Sequence, residues 1–224
     1  MQELVILDLD GVIINGQSQQ IFLDYLFNKK LVSLFFYLKI YCWFILYKLG
    51  LVKSPKKMMN FAFSHFDGRK IDEVSGIVDK FFSGKLSEFI FPEIIDIINE
   101  HKVQGRELVI ISNSAEIIVG KVSNFLGIKN YIGTQLETVG GKFTGKIEGE
   151  IVYGKNKLVV ATEFVQKNNL NLNNSWSYAD NISDLDLLMS VSKPYAVNPD
   201  RFLLSEAQKR NWPILKFKNI LKNK

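Results

Sequence analysis

The sequence predicts an α/β fold in which a doubly wound parallel sheet is interrupted by an all-helical insertion. Residues 3–8, 107–112 and 176–180 are largely apolar runs that end in Asp or Ser. This is the pattern of strands buried on both faces of a parallel sheet. Helical patterns follow the second and third runs, as a doubly wound fold requires. Residues 17–88 show no strand pattern of this kind.

Weaker patterns complete the predicted sheet and its helices. Two further strands are predicted at residues 195–197 and 213–215, and helices at 115–126, 156–167, 183–190 and 201–210. Residues 136–145 differ, because two short β patterns flank Gly140 and Gly141. We predict a hairpin on the rim of the sheet there.

The insertion consists of apolar helical segments broken at Gly50, at Ser54 with Pro55, and at Gly68. Ser followed by Pro is typical of a helix start, with Ser as the N-cap. We therefore assign residues 1–16 and 89–224 to an α/β core and residues 17–88 to a helical cap. A cap inserted after the first strand is well placed to act as a lid over the carboxyl ends of the strands.

Composition excludes several classes of protein. The chain has 224 residues, 47% of them hydrophobic, and its single cysteine, Cys42, cannot form an internal disulfide. No charged leader precedes the first apolar run, so we expect a cytoplasmic protein. The net charge of +5 is concentrated in residues 29–57, which hold seven lysines and no Asp or Glu. A basic and very apolar segment favours an anionic membrane surface over nucleic acid as a partner.

Two carboxylates end the first predicted strand. Asp8 and Asp10 are separated by one residue and followed by Gly11. Carboxylates at this spacing can converge where a cation and a phosphate group meet, one as the nucleophile and the other as the general acid and base. The alternative is a polar strand end followed by an ordinary Asp-Gly turn.

Polar groups also end the second predicted strand. Ser112, Asn113 and Ser114 can donate to a phosphate oxygen, although Ser112 could instead cap the next helix. Lys157, near the start of a later helix, can neutralise phosphate charge, the alternative being an ordinary surface lysine.

Asp180 and Asp184 follow the third predicted strand. Their oxygen atoms suit Mg²⁺, and the alternative is that this turn only caps the next helix. Because all these groups follow strands or begin helices in sequence order, we predict that they meet in one magnesium and phosphate site.

These motifs resemble those of haloacid dehalogenase (HAD) superfamily hydrolases, in the phosphoserine-phosphatase-like branch with a helical cap inserted after the first motif. The resemblance covers nearly all of the core. The DxDG motif of that family is matched by Asp8, Asp10 and Gly11, its strand ending in serine by Ser112, and its DxxxD motif by Asp180 and Asp184. Residues 153–157 resemble its Tyr-Gly-x-Gly-Lys segment, which places the motif lysine at Lys157, with Lys155 as the alternative.

The resemblance implies a Mg²⁺-dependent phosphomonoester phosphatase. Asp8 would form an aspartyl-phosphate, and Asp10 would be the acid and base and would lend its main-chain carbonyl to the metal. The phosphoryl group would be bound by Ser112, Asn113 and Lys157. The metal would be bound by Asp8, Asp10 and Asp180, with Asp184 acting through water or by positioning.

The substrate is less narrowly defined. Gln17 stands where phosphoserine phosphatases have a glutamate that binds the substrate ammonium, and a neutral amide there disfavours phosphoserine. A small phosphorylated metabolite and a lipid phosphate remain open, because related enzymes include phosphatidylglycerophosphate phosphatases. A phosphomutase of the same superfamily is a further alternative.

Residues 31–52 approach the length of a transmembrane span, but Lys39 and Lys48 interrupt them on opposite helix faces. A simple span is therefore disfavoured. A helix buried within the cap and a peripheral membrane contact both remain open. His65 and His101 lack metal-ligand spacing, so we expect structural roles for them.

Overall fold

A parallel sheet forms the centre of the molecule. In the computed structural model, which describes residues 2–48 and 55–218, its strands are β1 (Leu4–Leu7), β2 (Glu107–Ala115), β3 (Asn130–Thr134), β6 (Ser175–Ala179), β7 (Lys193–Val197) and β8 (Ile214–Leu215). They lie in the order β3-β2-β1-β6-β7-β8, and each pairing is parallel. The order reverses at β1, so the carboxyl end of β1 lies where such sheets open a ligand crevice. The predicted fold class is confirmed.

Helices occupy most of the remaining described chain. They are α1 (Ser18–Asn28), α2 (Leu34–Lys48), α3 (Pro55–Phe63), α4 (Ile71–Gly84), α5 (Pro92–Val103), α6 (Glu116–Phe125), α7 (Lys155–Lys167), α8 (Leu185–Met189) and α9 (Arg201–Lys209). Short 3₁₀ segments lie at Ser64–Phe66, Leu86–Phe89, Leu172–Asn174 and Ile182–Asp184. Helices α1 to α4 all lie between β1 and β2 in sequence, as predicted for the insertion. None of the helices within the described ranges is long and apolar enough to cross a membrane.

The predicted elements match the observed ones with three differences. Residues 183–190 divide into a 3₁₀ turn and the short helix α8. Strand β3 and helix α5 lie outside the predicted set. Strand β3 lacks a continuous apolar run because it is an edge strand, in which Tyr131 remains 38% exposed. The predicted break at Gly50 and the predicted N-cap Ser54 lie outside the described residues, and α3 begins at Pro55.

The insertion packs directly on the sheet. Leu7 and Ile110 of the sheet belong to the same buried cluster as Phe22 of α1, Met59 of α3 and Phe81 of α4. Burial of such large apolar side chains is the main force that would hold α1 to α4 in place. The division at residues 16 and 88 stays a prediction, and side chains from both parts share one core.

The predicted hairpin is confirmed and also contacts the insertion. Strands β4 (Leu136–Val139) and β5 (Lys142–Ile147) pair antiparallel and form a separate two-stranded sheet. Phe143 accepts a hydrogen bond from Gly68 N (2.8 Å) and donates one to Arg69 O (2.9 Å). Gly145 has φ +71°, and a Cβ atom there would lie 2.8 Å from Ser64 Cα. Glycine therefore permits the close contact between hairpin and insertion.

His101 has a structural role, as expected from its sequence position. Its Nδ1 lies 2.9 Å from Arg106 Nη1, and its Nε2 lies 2.9 Å from Tyr178 Oη. Because a guanidinium can only donate, Nδ1 must accept, so the ring hydrogen is on Nε2 and is donated to the tyrosine. Burial, assisted by the charge of Arg106, lowers the pKa of His101 to about 4.

We expect His101 to make stability depend on pH. Its folded-state pKa of about 4 lies below the ordinary value of 6.5, so unfolding takes up a proton between these values. The stabilisation is present above about pH 6.5 and is lost as the pH falls towards 4. The free energy of unfolding should fall by roughly 1–2 kcal/mol more in the wild type than in His101→Gln between about pH 7 and pH 5. Urea unfolding of both proteins would measure this, and equal pH slopes would contradict it.

Candidate active site

One pocket of about 300 Å³ lies at the carboxyl ends of β1, β2 and β6. All of the predicted site residues line it: Asp8, Asp10, Gln17, Ser112, Asn113, Lys157, Asp180 and Asp184. A larger groove of about 690 Å³ along β3 and α7 is lined by none of them. The structure thus brings together side chains from four separate segments of the chain.

Asp8 follows β1 directly and extends its pairing, since Asp8 N donates to Tyr178 O (3.0 Å). Its Oδ1 accepts from Leu9 N (2.7 Å) and lies 2.9 Å from Lys157 Nζ. Burial raises the pKa of Asp8 well above its ordinary value, and the charges of Asp184 and Asp180 raise it further, while Lys157 opposes them. The carboxyl group is therefore held in a position where its negative charge is costly unless cations are near.

Lys157 lies between two carboxylates. Its Nζ donates to Asp184 Oδ2 (2.6 Å) and contacts Asp8 Oδ1, and the side chain is buried. Burial alone would lower the pKa of Lys157, but the charges of Asp184 and Asp8 outweigh it and raise the pKa above the ordinary value. Lys155 is exposed and does not line the pocket. The geometry therefore favours Lys157 over Lys155 as the lysine of this site.

Asp10 is held by two serines. Ser18 N donates to its Oδ1 (2.8 Å), and Ser114 Oγ donates to its Oδ2 (3.0 Å). The two serine hydroxyls lie 2.6 Å apart. Because Ser114 gives its only hydrogen to Asp10, Ser18 must be the donor between them. Burial raises the pKa of Asp10, and the hydrogen bonds from Ser18 and Ser114 oppose the rise.

The expectation that Ser114 can donate to a phosphate oxygen is wrong. Ser114 is fully buried, its hydroxyl is used by Asp10, and it does not line the pocket. In a regular strand, side chains two positions apart point to the same face of the sheet. Ser112 and Ser114 would therefore lie on the same side if the strand were regular. The pairing of β2 with β3 shifts register between Ile111 and Ala115, so this regularity is lost here. Ser18, its partner, carried no predicted role.

Ser112 and Asn113 lie at the edge of the pocket on β2. Ser112 Oγ accepts from Ser114 N (3.1 Å), and the residue that caps α6 is Ala115, so Ser112 is not the helix cap. Asn113 O accepts from Gln19 Nε2 (3.2 Å), which ties α1 to this strand end. Within the described chain, the buried Asn113 Oδ1 has no hydrogen-bond partner, and the residue lines the pocket.

Asp180 follows β6 and lies against Gly11. Gly11 has φ +76°, and a Cβ atom there would lie 2.1 Å from Asp180 Oδ2, so only glycine allows this approach. Burial raises the pKa of Asp180 to about 7, with further contributions from Asp184 and Asp10 against the opposing charge of Lys157. Both loops after β1 and β6 are thus packed to place carboxylates side by side.

The turn after β6 is fixed by a residue with no predicted role, Asp200. Its backbone N donates to Asp180 O (2.8 Å), and its Oδ2 accepts from Ile182 N (3.1 Å). Asn181 Oδ1 accepts from Ser183 N (3.0 Å). The turn therefore also has the capping role that the sequence offered as the alternative to a metal site. In the sequence, Asp200 directly precedes the helix predicted at residues 201–210, a position typical of an N-cap. In the structure, Asp200 does cap α9.

The charges of the pocket fit a divalent cation. Four aspartates share the site with Lys157, and the pKa values of Asp8, Asp10 and Asp180 are all raised. Within the described ranges, no three carboxylate, imidazole or thiolate groups form a ligand cluster by themselves. Mg²⁺ does not need such a cluster, because it keeps several waters and takes one or two carboxylates. Both carboxylate oxygens of Asp10 accept hydrogen bonds from the serines, so the main-chain carbonyl is the group through which Asp10 would bind a metal.

We expect Ser114→Ala to raise the pKa of Asp10 further. The substitution removes a hydrogen bond that stabilises the ionised carboxylate, so the pKa should rise by roughly one unit. Titration of the aspartate carboxyl carbons by ¹³C NMR in metal-free protein would measure it. Ser190→Ala is the control, because its hydroxyl bonds Leu187 O (2.7 Å) away from the pocket. An unchanged pKa in Ser114→Ala would contradict the assigned hydrogen bond.

Comparisons with known proteins identify relatives that are named as phosphatases. The chain is 34% identical over 150 residues to a probable phosphatase of Mycobacterium tuberculosis, which covers 67% of this chain and 52% of the relative. It thus spans about half the length of the first relatives it matches. It is 30% identical to a histidinol-phosphatase of Neisseria meningitidis, over 97% of this chain and all of that protein.

The chain also matches a solved structure and a family model. A solved structure of a phosphoserine phosphatase as a phospho-aspartyl intermediate analogue has the same fold, with a TM-score of 0.69 and 17% identity over 98% of this chain and 95% of that one. The family model for haloacid dehalogenase-like hydrolases matches residues 5–189, which include every predicted site residue. The chain therefore belongs to the haloacid dehalogenase-like hydrolase family.

Proposed function

We propose that this protein is a Mg²⁺-dependent phosphomonoester phosphatase that works through an aspartyl-phosphate on Asp8. The observation that carries the proposal is the buried Lys157 ammonium, 2.9 Å from Asp8 Oδ1 and 2.6 Å from Asp184 Oδ2. Catalysis of phosphoryl transfer depends mostly on positioning and on neutralisation of charge. A fixed cation beside a fixed carboxylate, at the carboxyl end of a strand, supplies both.

Asp8 has the geometry of a nucleophile. Its Oδ1 is held by Leu9 N and Lys157, so within the described chain Oδ2 remains to attack phosphorus. Attack forms the bond from Oδ2 to phosphorus and breaks the bond from phosphorus to the alcohol oxygen. Lys157 offsets negative charge on the phosphoryl oxygens, and Ser112 and Asn113 line the pocket where they can donate to them.

Asp10 supports both proton transfers. Burial raises the pKa of Asp10, which favours the protonated form that can donate to the departing alcohol. After the alcohol leaves, the ionised Asp10 can take a proton from the water that hydrolyses the aspartyl-phosphate. The hydrogen bonds from Ser18 and Ser114 keep the carboxyl group in one orientation through both steps.

Mg²⁺ would be held by the carboxylates of Asp8 and Asp180 and the main-chain carbonyl of Asp10. When bound, it supplies positive charge that offsets the negative charge of the phosphoryl group. Asp184 is paired with Lys157, so it would position that ammonium group, and any contribution of Asp184 to the metal would be made through water.

We expect Asp8→Asn to abolish phosphate release and Mg²⁺ removal to do the same reversibly. With an aryl phosphate, Asp8→Asn should lose at least about 10³-fold in kcat, because the nucleophile is removed.

Asp10→Asn should lose more kcat with an alkyl phosphate than with an aryl phosphate, because only the poorer leaving group needs a proton. Inorganic phosphate release with EDTA and with added Mg²⁺ measures this. A phosphomutase would instead give a phosphorylated sugar.

Asp72→Asn is the matched control, because Asp72 is an exposed carboxylate on α4 outside the pocket. It should retain wild-type activity. Turnover by purified Asp8→Asn equal to that of the wild type would remove Asp8 from the mechanism.

We further propose that the alcohol part of the substrate carries no positive charge. Beyond the catalytic residues, the described side chains that line the pocket are uncharged: Gln17, Gln19, Gln20, Phe44, Met58, Met59, Val152, Tyr153, Asn181 and Ser183. Residues 25–66, which include the undescribed residues 49–54, contain no Asp or Glu. A substrate ammonium would therefore find no carboxylate from this part of the cap. The compared histidinol-phosphatase and phosphoserine phosphatase are named after histidinol phosphate and phosphoserine, and both of these compounds carry such an ammonium.

We expect wild type to prefer an uncharged ester such as glycerol phosphate over phosphoserine and histidinol phosphate. Gln17→Glu adds a carboxylate at the exposed edge of the pocket. The kcat/KM for phosphoserine, divided by that for glycerol phosphate, should therefore rise by roughly 2–5-fold. Gln166→Glu, exposed on α7 outside the pocket, is the control. Phosphatidylglycerophosphate, with and without detergent, tests the lipid-phosphate alternative. Faster turnover of the two ammonium substrates by wild type would overturn the proposed preference.

A further inference from the structure

Helix α2 exposes an apolar face along its whole described length. Leu34, Phe35, Leu38, Ile45 and Leu46 are 58%, 76%, 53%, 51% and 37% exposed, and Cys42 is exposed as well. We call these six residues the outer stripe. At about 100° per residue they fall within roughly 120° of the helix circumference. An exposed helix normally turns a polar face outward, so this surface requires an explanation.

The opposite face of α2 is fixed in place, so the helix cannot rotate to hide the outer stripe. Ile40 is buried, and Phe44 lines the candidate active site. Tyr41 Oη accepts from Gln20 Nε2 (2.8 Å), and Tyr37 Oη donates to Asp24 Oδ1 (2.9 Å). Trp43 packs on Phe61 with ring centroids 5.4 Å apart. The outer stripe therefore faces away from the protein because the inner face is already used.

The surroundings of the outer stripe are basic. Lys39 borders it on α2 and lies over the Phe61 ring at 4.2 Å, and the exposed Lys29 and Lys30 precede the helix. Residues 29–57 hold seven lysines, and residues 25–66 hold no Asp or Glu. Among the described residues, Lys29, Lys30 and Lys39 therefore give the surface beside the apolar face a positive charge, and residues 25–66 supply no acidic residue to neutralise it.

We propose that α2 lies flat on an anionic membrane surface, with the outer stripe in the acyl region and the neighbouring lysines on lipid phosphates. Exposed apolar side chains combined with lysine fit a helix at a membrane interface. The described part of α2 spans about 22 Å at 1.5 Å per residue, and the proposed contact lies in the plane of the membrane, because the outer stripe covers only one face of the helix. A second copy of this chain fits less well, because the same lysines would face each other without acidic partners from residues 25–66.

Flotation of the full chain with lipid vesicles tests the proposal. The wild type should float with phosphatidylcholine vesicles that contain phosphatidylglycerol, and should not float with phosphatidylcholine alone. Phe35→Ser combined with Leu38→Ser should weaken binding by at least about tenfold, because it removes the two adjacent apolar groups that insert. The control is Phe202→Ser combined with Val159→Ser, whose side chains are 55% and 50% exposed on the core and should leave binding unchanged.

Charge is tested separately. Lys29→Glu combined with Lys39→Glu should weaken binding to the anionic vesicles by roughly tenfold or more. Lys129→Glu combined with Lys167→Glu changes net charge equally on exposed core residues and should have a much smaller effect. Aryl-phosphate turnover in solution should stay at the wild-type level in all four double variants, so loss of flotation is distinguishable from loss of the active site.

Two outcomes would overturn the proposal. The first is the absence of flotation of the wild type with anionic vesicles. The second is a concentration-dependent dimer in sedimentation velocity that Phe35→Ser with Leu38→Ser dissociates, since the outer stripe would then be covered by a second copy.

Discussion

The Lys157 ammonium group holds the candidate site together. It contacts Asp8 after β1 and Asp184 in the turn after β6, while it is itself supplied by the first turn of α7. Removing one partner from a buried ion pair typically costs about 3–5 kcal/mol, because it leaves an uncompensated charge in the protein interior. The three segments that it joins are therefore bound to one another by the same charges that would act on a phosphate.

The remaining carboxylates are held in place by hydrogen bonds rather than by an ion pair. Asp10 depends on Ser18 and Ser114, and the turn that carries Asp180 depends on Asp200. Gly11 permits the two loops to approach because it has no side chain. The result is a concentration of negative charge that the protein alone does not balance, which is the condition under which a divalent cation binds.

The sequence predicted the central strands and the pocket residues for the same reason. Strands β1 and β6 are buried throughout and β2 along most of its length, so their sequences are largely apolar, and Asp8, Ser112 and Asp180 stand where those runs end. Strand β3 escaped prediction because an edge strand keeps polar and exposed residues.

The support of the site could not be predicted in the same way. The bonds of Asp10 to Ser18 and Ser114 depend on how β2 departs from regular pairing and on where α1 begins. Neither is encoded by a local pattern. The pairing of Asp200 with Asp180 and Ile182 likewise joins residues about twenty positions apart, and only the packed loops bring them together.

The shared core of sheet and insertion limits how a substrate can enter. Phe22 and Phe81 are buried in the cluster that also contains Leu7. A rigid-body movement of the whole insertion away from the sheet would therefore expose large aromatic surfaces to water. Gln19 also fastens α1 to Asn113 at the pocket edge. On the side of the insertion, the pocket is bounded by Phe44, Met58 and Met59, where α2 and α3 meet it. With the insertion fixed to the sheet, the shape of this apolar wall would limit the width of the molecules that enter.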